Sequence, residues 1–358
     1  MATFNAIFSQ FLGFCIPLII LGFVAPAIAD IGQRAGKMLV ATALLAYGFT
    51  LFAGFLSYIT GNWLFPQLIS PSGYAATASQ GGVSVGPYFT MEMPAVMTVM
   101  TALVASFLVG LGVAFTHAVA IKTVLDEFRK IINLVIARVI IPLLPVYIFG
   151  IFLTMTVSGE VGSILATFIK IIAVIFALHI FVLLFQYCVA APFSPGSRNP
   201  LRLLATMMPA YFTALGTQSS AATIPVTLER TVAMGVNRDV AGFTVPLCAT
   251  IHMSGSTLKL VACALALMIA HGMPYDFAMF AGFIAMLGIT IIAAPGVPGG
   301  AVMAALGLFT SMLGFTEADC ALMIALYIAM DSFGTACNVT GDGSIAILIN
   351  RLFPSRNG

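Results

Sequence analysis

Near its C-terminus the chain sets four polar side chains on one side of an otherwise apolar segment: Asp331, Thr335, Asn338 and Asp342. At 100° per residue they fall within an arc of about 60°, a stripe about 16 Å long on a helix. An ionised aspartate deep in a membrane costs roughly 2.5–3.5 kcal/mol even on the lenient insertion scale, so two on one face need compensation. Two sources would supply it. One is a ligand ammonium at the first carboxylate and a metal cation at the second. The other is pairing with Lys259 or His252, which would only hold helices together.

Polar or helix-breaking residues interrupt apolar sequence at three more places. Gly216-Thr217-Gln218-Ser219-Ser220 leads into Pro225; His252-Met253-Ser254-Gly255-Ser256 follows an apolar run; Pro295-Gly296-Val297-Pro298-Gly299-Gly300 must break a helix. These segments need a scaffold, and composition says which kind. Of 358 residues 61% are hydrophobic and 7% charged, against roughly 25% charged in soluble domains. A bilayer accommodates that much apolar surface; a soluble fold of this size does not. The six cysteines show no metal-ligand spacing and read as packing residues. A net charge of +2 gives no footprint for nucleic acid.

Apolar runs of about 20 residues predict about seven spans, near 7–29, 38–64, 94–116, 131–157, 161–190, 240–270 and 320–349. The connections sort by sign. Arg34 and Lys37, then Lys122, Arg129 and Lys130, then Arg198 and Arg202, Arg230 and Arg238, and Arg351 and Arg356 lie on one side. Glu92, Glu160, Asp276, Glu317 and Asp319 lie on the other. Positive charge marks the cytoplasmic side, which places the C-terminus inside and the N-terminus outside.

The segment between Arg202 and Arg230 begins and ends on the basic side, and each arm covers only about 18–22 Å. It predicts a re-entrant helical hairpin. The segment from Asp276 to Glu317 reads as a second hairpin entering from the acidic side, because its turn carries no Lys or Arg; its longer arms leave two full spans as the alternative. Each precedes a span with a polar or interrupted middle, so the order hairpin, broken span occurs twice with opposite entry: an inverted repeat. Irregular backbone at membrane depth must be buried in protein or line a cavity, and paired broken segments point to a transporter's binding site.

Four blocks, Thr217–Thr227, Pro246–Ser256, Pro295–Gly300 and Asp331–Asp342, in this order and spacing, resemble the dicarboxylate/amino-acid:cation symporters that include the glutamate transporters. The resemblance implies an all-α membrane fold with two hairpins and an elevator-like homotrimer in the cytoplasmic membrane. Scaffold and trimerisation helices would come from 1–33 and 88–158, and the transport domain from 34–64 and 161–354. The hairpins would cover about 203–234 and 277–314, with 65–87 an extracellular loop. Substrate would meet Ser219 and Ser220, Asp331 for its α-ammonium, Gly334, Thr335 and Asn338, and the second hairpin tip at Val297 and Gly299. Asn338, Asp342, Met253 and Thr250 would hold sodium, the coupling ion, with a proton as the alternative.

The departures from the family pattern bear on substrate. Acidic-substrate members carry an arginine three residues after the aspartate matching Asp331, or at the first hairpin, or beside that aspartate; here stand Gly334, Gln218 and Ser332. Without a guanidinium for a second carboxylate, the expectation is a neutral amino acid. The alternative is an acidic amino acid or dicarboxylate with Lys259 in the arginine's role. The family's Asn-Met-Asp-Gly-Thr is His252-Met253-Ser254-Gly255-Ser256, and second-span hydroxyl positions hold Thr42, Leu45 and Ala46. One cation site is therefore expected to be dismantled, with His252 and Lys259 as coupling candidates, through fixed positive charge or proton uptake by His252. Relatives have eight spans and a cytoplasmic N-terminus. Truncation, a misassigned start or true absence of the first helix would each account for the difference. An intramembrane enzyme would need a metal cluster or nucleophile–base pair, and scattered His117, His179, His252 and His271 give none. A channel is the other rival.

Overall fold

A computed structural model gives the architecture of the protein and describes residues 1–33, 36–69, 86–157, 161–292 and 299–354. Helices make up the regular structure, and no strand occurs among the described residues. The first third runs through α1 (Ala2–Gln33), α2 (Lys37–Leu68), α3 (Val99–Thr116), α4 (Val119–Val135) and α5 (Ile141–Val157). Then come α6 (Val161–Ala190), the hairpin α7 (Pro200–Thr217) and α8 (Ser220–Ala233), and the broken pair α9 (Arg238–Ile251) and α10 (Ser254–Ala270). The order repeats as α11 (Phe277–Ile292) and α12 (Gly300–Leu313), followed by α13 (Glu317–Ala329) and α14 (Asp331–Leu352).

Among the described residues, four helical stretches are long and apolar enough to cross a membrane: Ala2–Pro26, Lys37–Leu68, Phe168–Phe193 and Arg238–Ala270. The pair α13 and α14, bent by 62°, makes a fifth if counted as one span. This corrects the expectation of about seven. The segment 94–116 is helical only from Val99, because Thr98 caps the start by accepting from the Thr101 amide at 3.2 Å. The segment 131–157 is not one uniform helix: α4 passes through a π-helical turn at Ile136–Ile140 before α5. Pro142 lacks the amide that would bond the Arg138 carbonyl, and a register change at that point absorbs the loss. The apolar periodicity of the sequence carried neither boundary.

Charge explains α4. Lys122 and Arg129 both pair with Asp126, at 2.7 and 2.9 Å, on a helix whose other side is apolar. Lys170 donates to the Leu68 carbonyl at the end of α2 (3.4 Å), a packing role for a cation inside an apolar helix. Helix pairs occupy both segments read as hairpins, and the turn of the second, 293–298, lies outside the described residues. The first turns at Gln218, whose φ of 53° is left-handed. In the second, Gly299 (φ 78°) supplies the left-handed residue that opens α12. Helices of 16 and 14 residues span about 24 and 21 Å, short of a bilayer's hydrocarbon core of about 30 Å.

The packing centres on two elements. α14 touches α6, α7, α8, α9 and α10, while α10, buried along its whole length, lies against α2. α1 packs on α3 and α4. Outward-facing Leu108, Phe115, Phe149, Ile169 and Phe181 leave an apolar exterior, as a chain solvated by lipid requires.

Candidate functional site

The two broken spans meet at their breaks. α9 ends at Ile251, His252 and Met253 leave helical geometry, and α10 resumes at Ser254. On the other side Met330 (φ −114°, ψ 10°) separates α13 from α14. The second halves cross at Gly255, where a Cβ would lie 2.6 Å from both the Cys337 Cβ and the Gly334 carbonyl oxygen. Only a residue without a side chain permits that approach.

Asn338 closes the crossing. Its Oδ1 accepts from the Gly255 and Ser256 amides at 2.8 and 3.4 Å, two donors that begin α10 without a helical partner. Its Nδ2 donates to Ser256 Oγ (3.1 Å) and Met253 Sδ (3.4 Å). Tyr327 donates to the same Ser256 hydroxyl at 3.0 Å. The amide expected to face a substrate carboxylate is committed to holding the break together.

At one end of the stripe, Asp331 is buried between a backbone amide and an ammonium. Its Oδ2 accepts from Gly299 N at 2.7 Å, so the second hairpin tip closes onto it. Its Oδ1 lies 3.6 Å from Lys259 Nζ, a loose ion pair. The Lys259 ammonium also donates to the Met330 carbonyl (3.0 Å) and sits 3.9 Å from the centre of the Tyr327 ring, a cation–π distance. It lies directly against Gly334: a Cβ at Gly334 would be 2.5 Å from Lys259 Cε and would collide with Nζ. The place left without a guanidinium thus holds an ammonium, delivered from α10 instead of α14.

At the other end, His252 Nδ1 lies 2.9 Å from Asp342 Oδ1 and 3.1 Å from the Asn338 carbonyl oxygen. Both neighbours are acceptors, so Nδ1 carries the hydrogen. His252 Nε2 is 3.3 Å from Gln186 Nε2, which also donates to Ser254 Oγ at 3.2 Å. Tyr187 donates to the Thr340 carbonyl and Ser344 to the Gly341 carbonyl, each at 2.7 Å.

Those contacts decide whether sodium fits the four residues expected to hold it. The Asn338 carbonyl and one Asp342 oxygen already accept from His252. Thr250 is exposed, its hydroxyl donating to Leu247 O (2.8 Å), and the Met253 side chain offers a soft thioether. The residues present do not fit a sodium ion here. The second-span positions offer little more: Thr42 donates to Met38 O at 2.8 Å, and Leu45 and Ala46, in an apolar cluster, have no side-chain oxygen.

The first hairpin tip supplies a different kind of donor. Ser219 caps α8 by accepting from the Ala222 amide (3.3 Å), and Ser220 begins the helix, half-buried. Both hairpin arms pack on α14, yet neither serine hydrogen-bonds to it among the described residues. Thr335 is buried on the same helix. Val297 lies outside the described residues, while the Gly299 amide donates to Asp331.

A hairpin followed by a broken span, twice, with the breaks crossed around a polar stripe, is a carrier's arrangement, and one comparison identifies which. The model of the sodium:dicarboxylate symporter family matches residues 1–352. The chain belongs to that family. As a sodium:dicarboxylate symporter family protein it is a multi-pass membrane transporter, secondary-active and ion-coupled in general character, and not an enzyme.

In this symporter-family chain the sequence pointed to Asp331, Asn338, Asp342, His252 and Lys259, and the structure brings all five to one crossing. It missed Gln186 and Tyr327. Gln186 carried a signal, a lone amide deep in an apolar helix. Tyr327 carried a weaker one, standing four residues before Asp331, which on an unbroken helix would set both on one side; the break at Met330 lies between them.

Proposed function

We propose that the protein is a secondary-active carrier of an acidic amino acid, with Lys259 as the anchor for the substrate's second carboxylate. The observation that carries this reading is the Lys259 ammonium lying against Gly334 and 3.6 Å from Asp331. The pair is loose enough to be opened by a ligand bearing both charges. The substrate ammonium would take Asp331 Oδ1 while its side-chain carboxylate takes Lys259 Nζ. The α-carboxylate would meet the amides opening α8 around Ser219 and Ser220, where a helix N-terminus favours an anion. A dicarboxylate without an ammonium would set an anion against Asp331 and is disfavoured.

A second reading has its own support. Lys259 is already satisfied by Asp331 and the Met330 carbonyl, and no guanidinium stands at position 334, which favours a neutral amino acid. Uptake of labelled aspartate, glutamate, serine and alanine into proteoliposomes separates the two. Saturable uptake of the acidic pair, unaffected by excess serine, supports the first; the reverse pattern overturns it. Counterflow exchange distinguishes a carrier from a channel.

The same proposal extends to an elevator mechanism. Residues 1–33 and 88–158 would form the scaffold of a homotrimer, and 34–64 with 161–354 the moving domain. The segregated Lys/Arg and Asp/Glu connections favour a cytoplasmic C-terminus in the cytoplasmic membrane. Cross-linking in native membranes tests the trimer.

A further inference from the structure

We infer that the imidazole of His252 is a built-in substitute for a coupling cation at Asp342, and that its ring is what excludes sodium from that position. The inference goes beyond the substrate reading and does not depend on it. It rests on how completely the ring is fixed. Nδ1–H is shared between Asp342 Oδ1 and the Asn338 carbonyl, 2.9 and 3.1 Å away. An N–H and an ion cannot use the same lone pairs at once. Cε1 lies against Gly341, where any Cβ would come within 2.5 Å of it. The Phe49 ring meets the imidazole edge-on at 6.4 Å between centroids, and Gln186 holds Nε2 at 3.3 Å. His252 is 1% exposed, so no other rotamer is open to it without unpacking α2 or α6.

The neighbouring substitutions agree. Ser254, where the family pattern has an aspartate, spends its hydroxyl oxygen on Gln186. That removes a carboxylate that would otherwise demand a cation. The nearby Thr340 and Gly341 carbonyls accept from Tyr187 and Ser344. The backbone carbonyls and the Asp342 carboxylate of this shell therefore meet resident donors in place of a removable ion, while Gln186 Oε1 and Thr340 Oγ1 stay buried without a hydrogen-bond partner.

The test measures sodium binding without any substrate. Melting of the detergent-solubilised full chain is followed while choline chloride is replaced by sodium chloride at constant ionic strength. His252→Asn restores the residue that the family pattern carries and empties the ring volume; His252→Gln serves as a second variant. The expected result is a sodium-specific rise in melting temperature of about 4 °C in either variant, larger than any in the wild type. The rise should vanish in the His252→Asn/Asp342→Asn double variant. Two results overturn the inference: no gain over wild type in either folded variant, or a gain that survives loss of the Asp342 carboxylate.

Discussion

The two ends of the polar stripe on α14 contain the same chemistry, a buried aspartate and a basic side chain from the α9–α10 span, yet they are built for different tasks. At the Asp342 end the contact is short, 2.9 Å, and the nearby carbonyls of residues 338, 340 and 341 already accept from side chains. At the Asp331 end the contact is long, 3.6 Å, and the remaining oxygen is held by the Gly299 amide at the start of α12. A buried pair is weak evidence for stability by itself, since desolvation offsets much of its attraction. What separates the two is whether their partners can be exchanged. On the proposed reading the Asp331 end would trade its partners for a ligand's, and the Asp342 end would stay closed.

The largest effect is expected from Lys259→Met. Leaving Asp331 buried without its ammonium should cost about 3–5 kcal/mol, read as a lower melting temperature, and acidic uptake should fall at least about 100-fold. The double variant Lys259→Met/Asp331→Asn should regain most of the stability and none of the uptake. Wild-type melting and uptake in the single variant would erase the distinction between the ends.

His252→Ala should destabilise by a comparable or slightly smaller amount, about 3 kcal/mol, because Asp342 loses its donor. Its signature differs: among molecules that still transport, the ratio of acidic to neutral uptake should stay within about 2-fold of wild type, as for separate sites. A change of preferred substrate would show that the two ends are one site. Gly255→Ala pushes α10 and α14 apart at the crossing that serves both ends. About 1–3 kcal/mol of stability should be lost, with melting and uptake falling together. The smallest effect is expected at the first hairpin tip, where Ser219→Ala removes a helix cap worth about 1 kcal/mol. A much larger loss of uptake than of stability would show that this hydroxyl touches substrate.

Much of this was legible in sequence because the relevant signals are local. The Gly216–Ser220 run marks the turn between α7 and α8, and the 100° step places Asp331 and Asp342 on one face. The span count was less legible. A hydropathy window does not register a π-helical turn at Ile136–Ile140 or a cap at Thr98. Least legible were the partnerships between distant segments. Nothing in the spacing of Lys259 and Gly334 says that the lysine's four-carbon arm reaches across the helix crossing to fill the glycine's side. Likewise, the sequence shows His252 replacing an asparagine but not that its Nδ1 sits on Asp342.

The central claim is that Lys259 anchors a second substrate carboxylate, and binding of labelled aspartate to the purified protein tests it most directly. Wild type and Lys259→Met would be compared in sodium-containing buffer, with and without excess serine. The account predicts saturable aspartate binding to the wild type, indifferent to serine, and its loss in folded Lys259→Met. Equal aspartate binding by both, or serine displacing aspartate from the wild type, would contradict it.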